Sequence, residues 1–350
     1  MPFDEPSWWY GPPEAQPARL LAPVAAAWAA IAQRRMARAT PYRSRLPVIC
    51  VGNFTAGGTG KTPLALSIAR QLTLLGHRPA FLTRGYGGRT AGPQRVDLLH
   101  DRAAGVGDEP LLLARAAPTV VARHRAAGAR WIEQHLAAAP EAAVDCIVMD
   151  DGLQNPHLAK SLQLAVVDGL RGLGNGLVMP AGPLRAPLEL QLERVDAIVV
   201  TRPAAMSADP PPLTLLRQRF HGPVLAASTR AVAPHDWLTG ARVVAYAAIG
   251  APRRFFDLLE ALGATIVAEK AFPDHHAFSA REATALLDLA RAQGAQLVTT
   301  EKDLVRLAGS GPAQSALLAA SRVLAIETHL DERDAHRLTA LLQSAFSVSR

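Results

Sequence analysis

The sequence predicts an α/β protein in which a mostly parallel sheet carries helices on both faces and a smaller α/β domain follows towards the C-terminus. Between residues 48 and 201, short apolar runs alternate with helical patterns, as in parallel sheets joined by crossover helices. A Pro/Ala-rich break at 203–212 precedes a second strand–helix series. We therefore predict an N-terminal segment over 1–46, a main domain over 47–225 and a smaller domain over 226–350.

The composition is that of a globular chain with a basic surface. Of its 350 residues, 49% are hydrophobic and 19% are charged, which excludes an intrinsically disordered chain. The net charge of +7 favours anionic partners such as nucleotides or an anionic membrane surface. Because the chain has no long Lys/Arg tract and only four Tyr, we predict no nucleic-acid partner. Cys50 and Cys146 lie in apolar runs, so we expect buried thiols in a reducing compartment.

The N-terminal segment contains a helical pattern over residues 18–39. One face carries the apolar side chains Leu20, Val24, Trp28 and Ile31. The C-terminal end carries the arginines Arg34, Arg35 and Arg38. This pattern is typical of an amphipathic helix at a membrane interface. It equally fits a surface helix that packs its stripe on the core. No stretch reaches about 20 apolar residues and no signal peptide is evident, so we expect no membrane-spanning segment.

Residues 48–63 form the clearest functional motif, an apolar run followed by a glycine-rich turn and the start of a helix. This is the strand–loop–helix of P-loop NTPases, whose backbone N–H groups bind phosphate. Lys61 is expected to contact the β- and γ-phosphates, and the Thr62 hydroxyl to hold Mg²⁺. Thr55 stands where the motif usually has glycine, and a plain glycine-rich turn is the alternative. The predicted phosphate-binding residues are Thr55, Ala56, Gly57, Gly58, Thr59, Gly60, Lys61 and Thr62.

Two pairs of carboxylates mark further candidate positions. Asp108 and Glu109 precede a proline and an apolar helical run, where one of them serves as base or metal ligand, or both simply cap the helix. Asp150 and Asp151 end an apolar strand in a Walker B pattern. Adjacent carboxylates repel each other unless a cation lies between them, which favours a Mg²⁺ site over a solvated turn.

Three loops carry further polar side chains. Arg84 and Tyr86 follow a predicted strand, where an arginine can pair with phosphate and a tyrosine can stack, although a plain turn is the alternative. Arg185 lies in a long turn-rich loop over 174–187 and could reach an anionic group. His275 lies in a Pro-Asp-His-His sequence, where a polar function and a structural role are evenly matched.

In their order along the chain, these motifs resemble the tetraacyldisaccharide 4'-kinase family, the lipid A 4'-kinases of Gram-negative bacteria. The resemblance spans about residues 8–307 and rests on Gly-Gly-Thr-Gly-Lys-Thr-Pro63, Arg84-Gly-Tyr-Gly87, Gly107-Asp-Glu-Pro110, Asp150-Asp-Gly-Leu-Gln154, Gly182-Pro-Leu-Arg185, Phe272-Pro-Asp-His275 and Thr300-Glu-Lys-Asp303. It implies a peripheral enzyme on the cytoplasmic face of the inner membrane. It further implies transfer of the γ-phosphate of ATP, with Mg²⁺, to the 4'-hydroxyl of a tetraacyl-disaccharide 1-phosphate, giving lipid IVA.

The resemblance also assigns roles to residues. Asp108 matches the catalytic base, His275 the histidine that orients it, and Lys61 the P-loop lysine. The Mg²⁺ neighbourhood comprises Thr62, Glu109, Asp150 and Asp151, and the expected substrate contacts are Arg84, Tyr86, Gln154, Asn175 and Arg185. The N-terminal helix matches a membrane-docking element. Asn155 and Ala186 depart from the family pattern, which usually has His and Glu at these positions.

Two other functional classes share the P-loop. One is a nucleotide switch with a protein partner, although the guanine-specifying Asn-Lys-x-Asp is absent and Thr300-Glu-Lys-Asp303 matches it only in part. The other is a membrane-surface scaffold that binds nucleotide without turning it over. Labelling of the lipid acceptor by ATP separates both from a kinase.

Overall fold

The computed structural model describes residues 5–138, 143–203, 206 and 209–347. Thirteen strands are present among them, and nine of these build one large sheet. The strands are β1 (Val48–Asn53), β2 (Pro79–Thr83), β3 (Gln94–Arg95), β4 (Thr119–Val121), β5 (Cys146–Asp150), β6 (Leu162–Asp168), β7 (Ala197–Pro203), β8 (Val224–Ala231), β9 (Arg242–Ala247), β10 (Thr265–Ala271), β11 (Gln296–Thr300), β12 (Ser321–Leu324) and β13 (Ile326–Leu330).

Helices connect most of these strands, as the alternating sequence pattern predicts. The α-helices among the described residues are α1 (Gln16–Arg38), α2 (Lys61–Leu74), α3 (Ala103–Val106), α4 (Asp108–Ala114), α5 (Arg125–His135), α6 (Leu188–Leu192), α7 (Pro211–Arg219), α8 (Pro252–Ala261), α9 (Ala280–Gln293), α10 (Glu301–Leu307), α11 (Pro312–Ala320) and α12 (Glu332–Ser347). Two short 3₁₀ turns cover Ser7–Tyr10 and Asp236–Leu238.

The large sheet has the strand order β13-β8-β7-β6-β1-β5-β2-β4-β3. All neighbouring strands are parallel except the two edge pairs, β13 with β8 and β3 with β4. Helices α2 and α12 cover one face of this sheet, and α5, α6 and α7 cover the other. The predicted fold class is confirmed. Strand β1 is central, so the loop after it opens at the carboxyl edge, where open α/β sheets bind ligands.

A second sheet of four parallel strands, in the order β10-β9-β11-β12, forms the smaller domain. It is packed by α8 on one face and by α9 and α11 on the other. The chain then leaves it, because β13 pairs with β8 and α12 packs on the large sheet. The C-terminal strand and helix therefore lie with the main sheet, whereas the predicted boundary placed all of 226–350 in the smaller domain.

The apolar stripe of α1 does not pack on the core. Leu20 is 71% exposed and Ile31 is 61% exposed, and the same stripe includes Val24 and Trp28. The buried side chains of α1 are Ala18, Ala25 and Met36, on a different face. The alternative of an ordinary surface helix with a buried stripe is therefore wrong. None of the helices in the described part of the chain is long and apolar enough to cross a membrane.

Buried apolar side chains of α2 anchor the helix that starts at the glycine-rich loop. Ile68 is fully buried against the large sheet, whereas Leu74 on the same helix is 83% exposed. We expect Ile68→Ala to lower the free energy of unfolding by about 2–5 kcal/mol, because it leaves a cavity in the core. The matched control Leu74→Ala should change it by no more than about 0.5 kcal/mol. Urea unfolding measures both, and equal effects would contradict the packing described.

Candidate active site

The glycine-rich loop bridges β1 and α2 with two left-handed residues. Gly57 has a φ of 98° and Gly60 has a φ of 88°, conformations that favour glycine. A Cβ on Gly57 would lie 1.8 Å from a carboxylate oxygen of Glu5, so a larger residue would also have to displace that side chain. The Asn53 side-chain amide donates to the Gly57 carbonyl over 3.3 Å and fixes the entry to the loop. The first N–H groups of α2 thus face an ordered, compact loop, as phosphate binding requires.

Thr55 departs from the usual loop motif at a position that needs no glycine. Its backbone lies outside the left-handed region and forms an antiparallel bridge with Leu184. Its carbonyl accepts a hydrogen bond of 3.0 Å from Arg185 Nε. The first residues of the loop therefore contact residues 184–185. A β-branched residue such as threonine suits the extended backbone at this position.

Thr62 and Asp150 meet directly beneath the loop. The Thr62 hydroxyl donates to Asp150 Oδ2 over 3.4 Å, and Asp150 Oδ1 is buried without a hydrogen-bond partner. Burial, together with the nearby charges of Glu109 and Asp151, raises the pKa of Asp150 to about 7. A buried carboxylate oxygen without a donor favours a cation. Mg²⁺ commonly takes one or two protein oxygens and completes its shell with phosphate and water, so this pair fits Mg²⁺ even though no three His, Cys, Asp or Glu side chains cluster among the described residues.

Asp151 is engaged differently from its neighbour. Arg185 Nη1 donates to Asp151 Oδ1 over 2.7 Å, and Asp151 itself has a φ of 53°. Burial alone would raise the pKa of Asp151, but the charges of Lys61 and Arg185 outweigh it and hold the pKa below its usual range. Of the residues described, only Asp151 and His275 are non-glycine residues with a positive φ. Such backbone strain concentrates at functional sites, and here both residues line one cavity.

Asp108 begins α4 and is the centre of a buried polar cluster that joins the two domains. Its Oδ2 accepts from His275 Nδ1 over 3.0 Å, from Arg306 Nε over 2.7 Å and from the second Arg306 nitrogen, Nη2. Its Oδ1 accepts from the Glu109 backbone N–H over 2.8 Å. Burial raises the pKa of Asp108, but the His275 hydrogen bond and the charge of Arg306 more than offset this and lower it. Asp108 is therefore a fixed, ionised acceptor.

Glu109 pairs with a lysine that the sequence-based prediction did not place in the site. Lys302 Nζ donates to Glu109 Oε1 over 2.8 Å. Lys302 and Arg306 both lie on α10, which packs on α4 through Val305. The available signal was that the Thr300-Glu-Lys-Asp303 motif directly follows a strand, β11. Its cations face α4 only because the second domain closes against the first, a contact that no local pattern encodes.

A cavity of about 1380 Å³ lies beside this cluster and reaches the N-terminal segment. Its lining includes Lys61, Glu109 and Lys302 as well as Leu21, Ile31 and Met36 of α1. The buried predicted site residues Thr62, Asp108 and Asp150 do not line it. Trp28 Nε1 donates to the Arg185 carbonyl over 3.2 Å and joins α1 to the loop that carries Arg185.

The structure brings four of the five expected substrate residues to this cavity, namely Arg84, Tyr86, Gln154 and Arg185. The Tyr86 ring lies 5.3 Å from the His275 ring, centroid to centroid. Asn175 is not among the lining residues. Its side chain donates to the carbonyls of Trp8 and Ala181 and accepts from the Leu177 N–H, so it orders its own loop and ties that loop to the N-terminal segment.

Comparison with known proteins identifies the family of the chain. The sequence profile of the tetraacyldisaccharide-1-P 4'-kinase family matches residues 17–346. The chain belongs to this family. It is 52% identical over 334 residues to the tetraacyldisaccharide 4'-kinase of Methylorubrum extorquens strain PA1, covering 94% of this chain and 97% of that protein. It is 48% identical over 307 residues to the corresponding protein of Nitrobacter winogradskyi, covering 87% of each.

A solved structure shares the fold. The crystal structure of LpxK from Aquifex aeolicus in complex with ATP superposes with a TM-score of 0.72 at 23% sequence identity, covering 94% of this chain and 99% of that one. As a member of the family, the chain is a kinase. Its two departures from the family pattern lie in different surroundings. The Asn155 side chain accepts from the His157 N–H, whereas Ala186 is fully buried at the cavity wall.

The Asp108–His275 contact should make stability depend on pH. Burial lowers the pKa of His275, but the hydrogen bond and charge of Asp108 outweigh it and raise the pKa above its ordinary value of 6.5. The stability from this contact is then complete below that value and is lost as pH rises through the raised folded-state pKa. We expect wild type to lose stability relative to His275→Gln as the pH rises above the ordinary histidine pKa of 6.5.

Chemical denaturation across this pH range measures the effect. The exposed His336 provides the control, and His336→Gln should run parallel to wild type. A constant difference between wild type and His275→Gln over the whole range would contradict the proposed ionisation of the pair.

Proposed function

We propose that the chain transfers the γ-phosphoryl group of ATP to the 4'-hydroxyl of a tetraacyl-disaccharide 1-phosphate, giving lipid IVA. One observation carries the proposal: a single cavity is lined by the phosphate loop, by Glu109, His275 and Lys302 beside the buried Asp108, and by apolar residues of α1. The same cavity thus offers a phosphate loop for a nucleotide, polar side chains for a sugar hydroxyl and apolar side chains for acyl chains. The names of the relatives supply the identity of the acceptor.

The phosphate loop and the strand ends around it position the nucleotide. The N–H groups of residues 57–62 and the Lys61 ammonium bind the phosphates, with Lys61 at the β- and γ-phosphates. Thr62 and Asp150 hold Mg²⁺, with Glu109 and Asp151 nearby. When bound, the ion neutralises charge on the phosphates. Asp150 is the better candidate for direct contact, because its free oxygen is buried, whereas Asp151 is already paired with Arg185.

Asp108 accepts the proton of the attacking hydroxyl. Phosphoryl transfer proceeds through a loose transition state in which the proton leaves late, so a carboxylate of low pKa suffices as acceptor. His275 and Arg306 keep Asp108 ionised and oriented. The 4'-oxygen forms its bond to the γ-phosphorus while the bond to ADP breaks.

Four side chains are proposed to hold the sugar. Arg84 and Tyr86 approach from the end of β2, beside His275. Gln154 donates to the Asn53 carbonyl over 2.8 Å and is thereby oriented at the cavity wall. Arg185 is held by Asp151 and by the Thr55 carbonyl. Asn175 is left out of this set, because its polar atoms are used within its own loop and in a bond to the Trp8 carbonyl.

We further propose that α1 docks the enzyme on the cytoplasmic face of the inner membrane. The support is the exposed stripe formed by Leu20, Val24, Trp28 and Ile31. Arginines at the end of α1 add an attraction of about 1 kcal/mol each for anionic lipid. An acyl-chain acceptor resides in a membrane, so a docked helix would bring it to the cavity.

The docking proposal predicts weaker binding to vesicles when the stripe becomes polar. We expect the double variant Leu20→Gln/Val24→Gln to lose at least about tenfold in affinity for phosphatidylglycerol vesicles, because two side chains no longer enter the lipid. These two residues do not line the cavity, so turnover of a detergent-solubilised acceptor should persist. Leu74→Gln, on the exposed side of α2, is the control. Unchanged sedimentation of the double variant with vesicles would refute the docking surface.

The function itself is tested with γ-labelled Mg-ATP in neutral detergent. The acceptors are the tetraacyl-disaccharide 1-phosphate and its 4'-deoxy analogue. We expect label in the first lipid and none in the second. ATP hydrolysis without lipid labelling would point to a nucleotide switch, and nucleotide binding without turnover to a scaffold, and each would overturn the proposal.

A further inference from the structure

Two lysines, one from each domain, line the cavity beside the same carboxylate. Lys61 begins α2 of the main domain, and Lys302 lies in the first turn of α10 in the smaller domain. Between them lies Glu109, which accepts from Lys302 over 2.8 Å. Burial raises the pKa of Glu109, but the charges of Lys302 and Lys61 outweigh it and lower the pKa. Both ammonium groups therefore lie close enough to Glu109 to stabilise its charged form.

The first turn of α10 is rigidly built. Asp303 is fully buried and accepts from the hydroxyls of Thr299 and Thr300, from the Ala248 N–H and from Arg306. The Thr300 hydroxyl in turn accepts from the Asp303 N–H and caps the helix. Lys302 lies between these fixed points and is only 26% exposed. Such support positions a side chain within the narrow tolerance that catalysis needs.

The pairing with Glu109 does not use all the hydrogen-bond donors of Lys302. Nearby, Arg185 lines the cavity and is paired with Asp151, whereas Arg306 is buried, does not line the cavity and is paired with Asp108. An ammonium group has three N–H donors, and the hydrogen bond to Glu109 uses one of them. Lys302 lines the cavity together with Gly57, Gly58 and Lys61 of the phosphate loop, and the bond to Glu109 is the one hydrogen bond of its ammonium group among the described residues. An ion pair that only balances charge at the surface needs neither burial nor additional N–H donors.

We propose that Lys302 is a catalytic residue that donates to the γ-phosphoryl oxygens during transfer, and that Glu109 is the residue that positions it. The proposal rests on the proposed function. Lys302 forms no covalent bond. The γ-phosphorus leaves the bridging oxygen of ADP for the 4'-oxygen, and the proton goes to Asp108. Because Lys302 belongs to the smaller domain, transfer requires both domains to meet around the nucleotide.

The first test compares turnover of Lys302→Met and Lys302→Arg with wild type, using Mg-ATP and the tetraacyl-disaccharide 1-phosphate in detergent. We expect Lys302→Met to lower kcat by about 10²–10³-fold, the usual effect of removing one donor to a transition-state charge. Lys302→Arg should recover part of this loss. Lys270→Met, on exposed β10 of the same domain, is the control and should match wild type. Rates are taken per folded protein, judged by near-ultraviolet circular dichroism.

A double variant separates catalysis from simple neutralisation. If Lys302 only balances the buried charge of Glu109, then Glu109→Gln/Lys302→Met regains turnover over Lys302→Met. We expect the double variant to stay as slow as Lys302→Met. Regained turnover, or a Lys302→Met enzyme with wild-type kcat, would overturn the role of Lys302 while wild type still labels the lipid. A wild type that does not label the lipid would instead overturn the proposed function.

Discussion

Replacing Asp108 by asparagine is expected to lower the rate of phosphoryl transfer by about 10²–10⁴-fold, the range for loss of a general base. The amide cannot take the proton of the 4'-hydroxyl, although its shape is nearly unchanged. ATP binding should persist, because the phosphate loop and Thr62 lie on other elements. Single-turnover labelling of the lipid acceptor with saturating Mg-ATP measures the transfer step. Equilibrium binding of ATP measures whether the variant still binds the nucleotide.

Stability must be followed in the same experiment. Arg306 is buried, and asparagine leaves its charge without a carboxylate partner in Asp108. Arg306 keeps its ion pair with Asp303, so the loss of stability should stay below about 3–5 kcal/mol, the cost expected when a buried charge loses its only partner. Asp288→Asn, on the exposed face of α9, controls for the loss of a charge alone. Near wild-type transfer by folded Asp108→Asn would show that another group, or no group, takes the proton.

Lys61→Ala is expected to have the second large effect, a loss of about 10³-fold or more in kcat/KM for ATP. The lysine is the cation of the phosphate loop itself, and the backbone N–H groups cannot replace its reach to the β- and γ-phosphates. The fold should survive, because Lys61 is the first residue of α2 and the buried face of that helix starts beyond it. Initial rates over a range of Mg-ATP concentrations measure the change.

Lys270→Ala is the matched control for Lys61→Ala, because it removes a lysine from an exposed strand. We expect no change in kcat/KM for this variant. Phosphorylation of the lipid by Lys61→Ala at the wild-type rate would mean that residues 55–62 form an ordinary turn and that the nucleotide binds elsewhere.

Local sequence pattern predicted the parts of the site that lie within one element. The phosphate loop, the Asp108–Glu109 pair and the Asp150–Asp151 pair each occur at the end of a strand or the start of a helix. Parallel strands bring such ends to one sheet edge, so their proximity follows from the fold class. The apolar stripe of α1 was also predictable from the sequence, since helical spacing defines it. Whether the stripe is buried or exposed was not predictable, because both kinds of stripe have the same period.

The rest depends on contacts between distant segments. Arg306 reaches Asp108 across 198 positions of the chain, and Lys302 reaches Glu109 across 193. Nothing in the spacing of α10 says which helix it will face. Similarly, no local pattern states that β13 pairs with β8 of the large sheet. Asn175 combines both cases, because its side chain bonds residues of its own loop and also the Trp8 carbonyl of the N-terminal segment.

The position of the new phosphate tests the central claim most directly. Wild-type enzyme is incubated with Mg-ATP and the tetraacyl-disaccharide 1-phosphate, and the lipid product is examined by ³¹P nuclear magnetic resonance with proton correlation. We expect a second phosphomonoester coupled to the proton at carbon 4', and none in the Lys61→Ala reaction. Phosphate released to solution with an unchanged lipid, or a phosphate on any other oxygen of the acceptor, would contradict the proposed site.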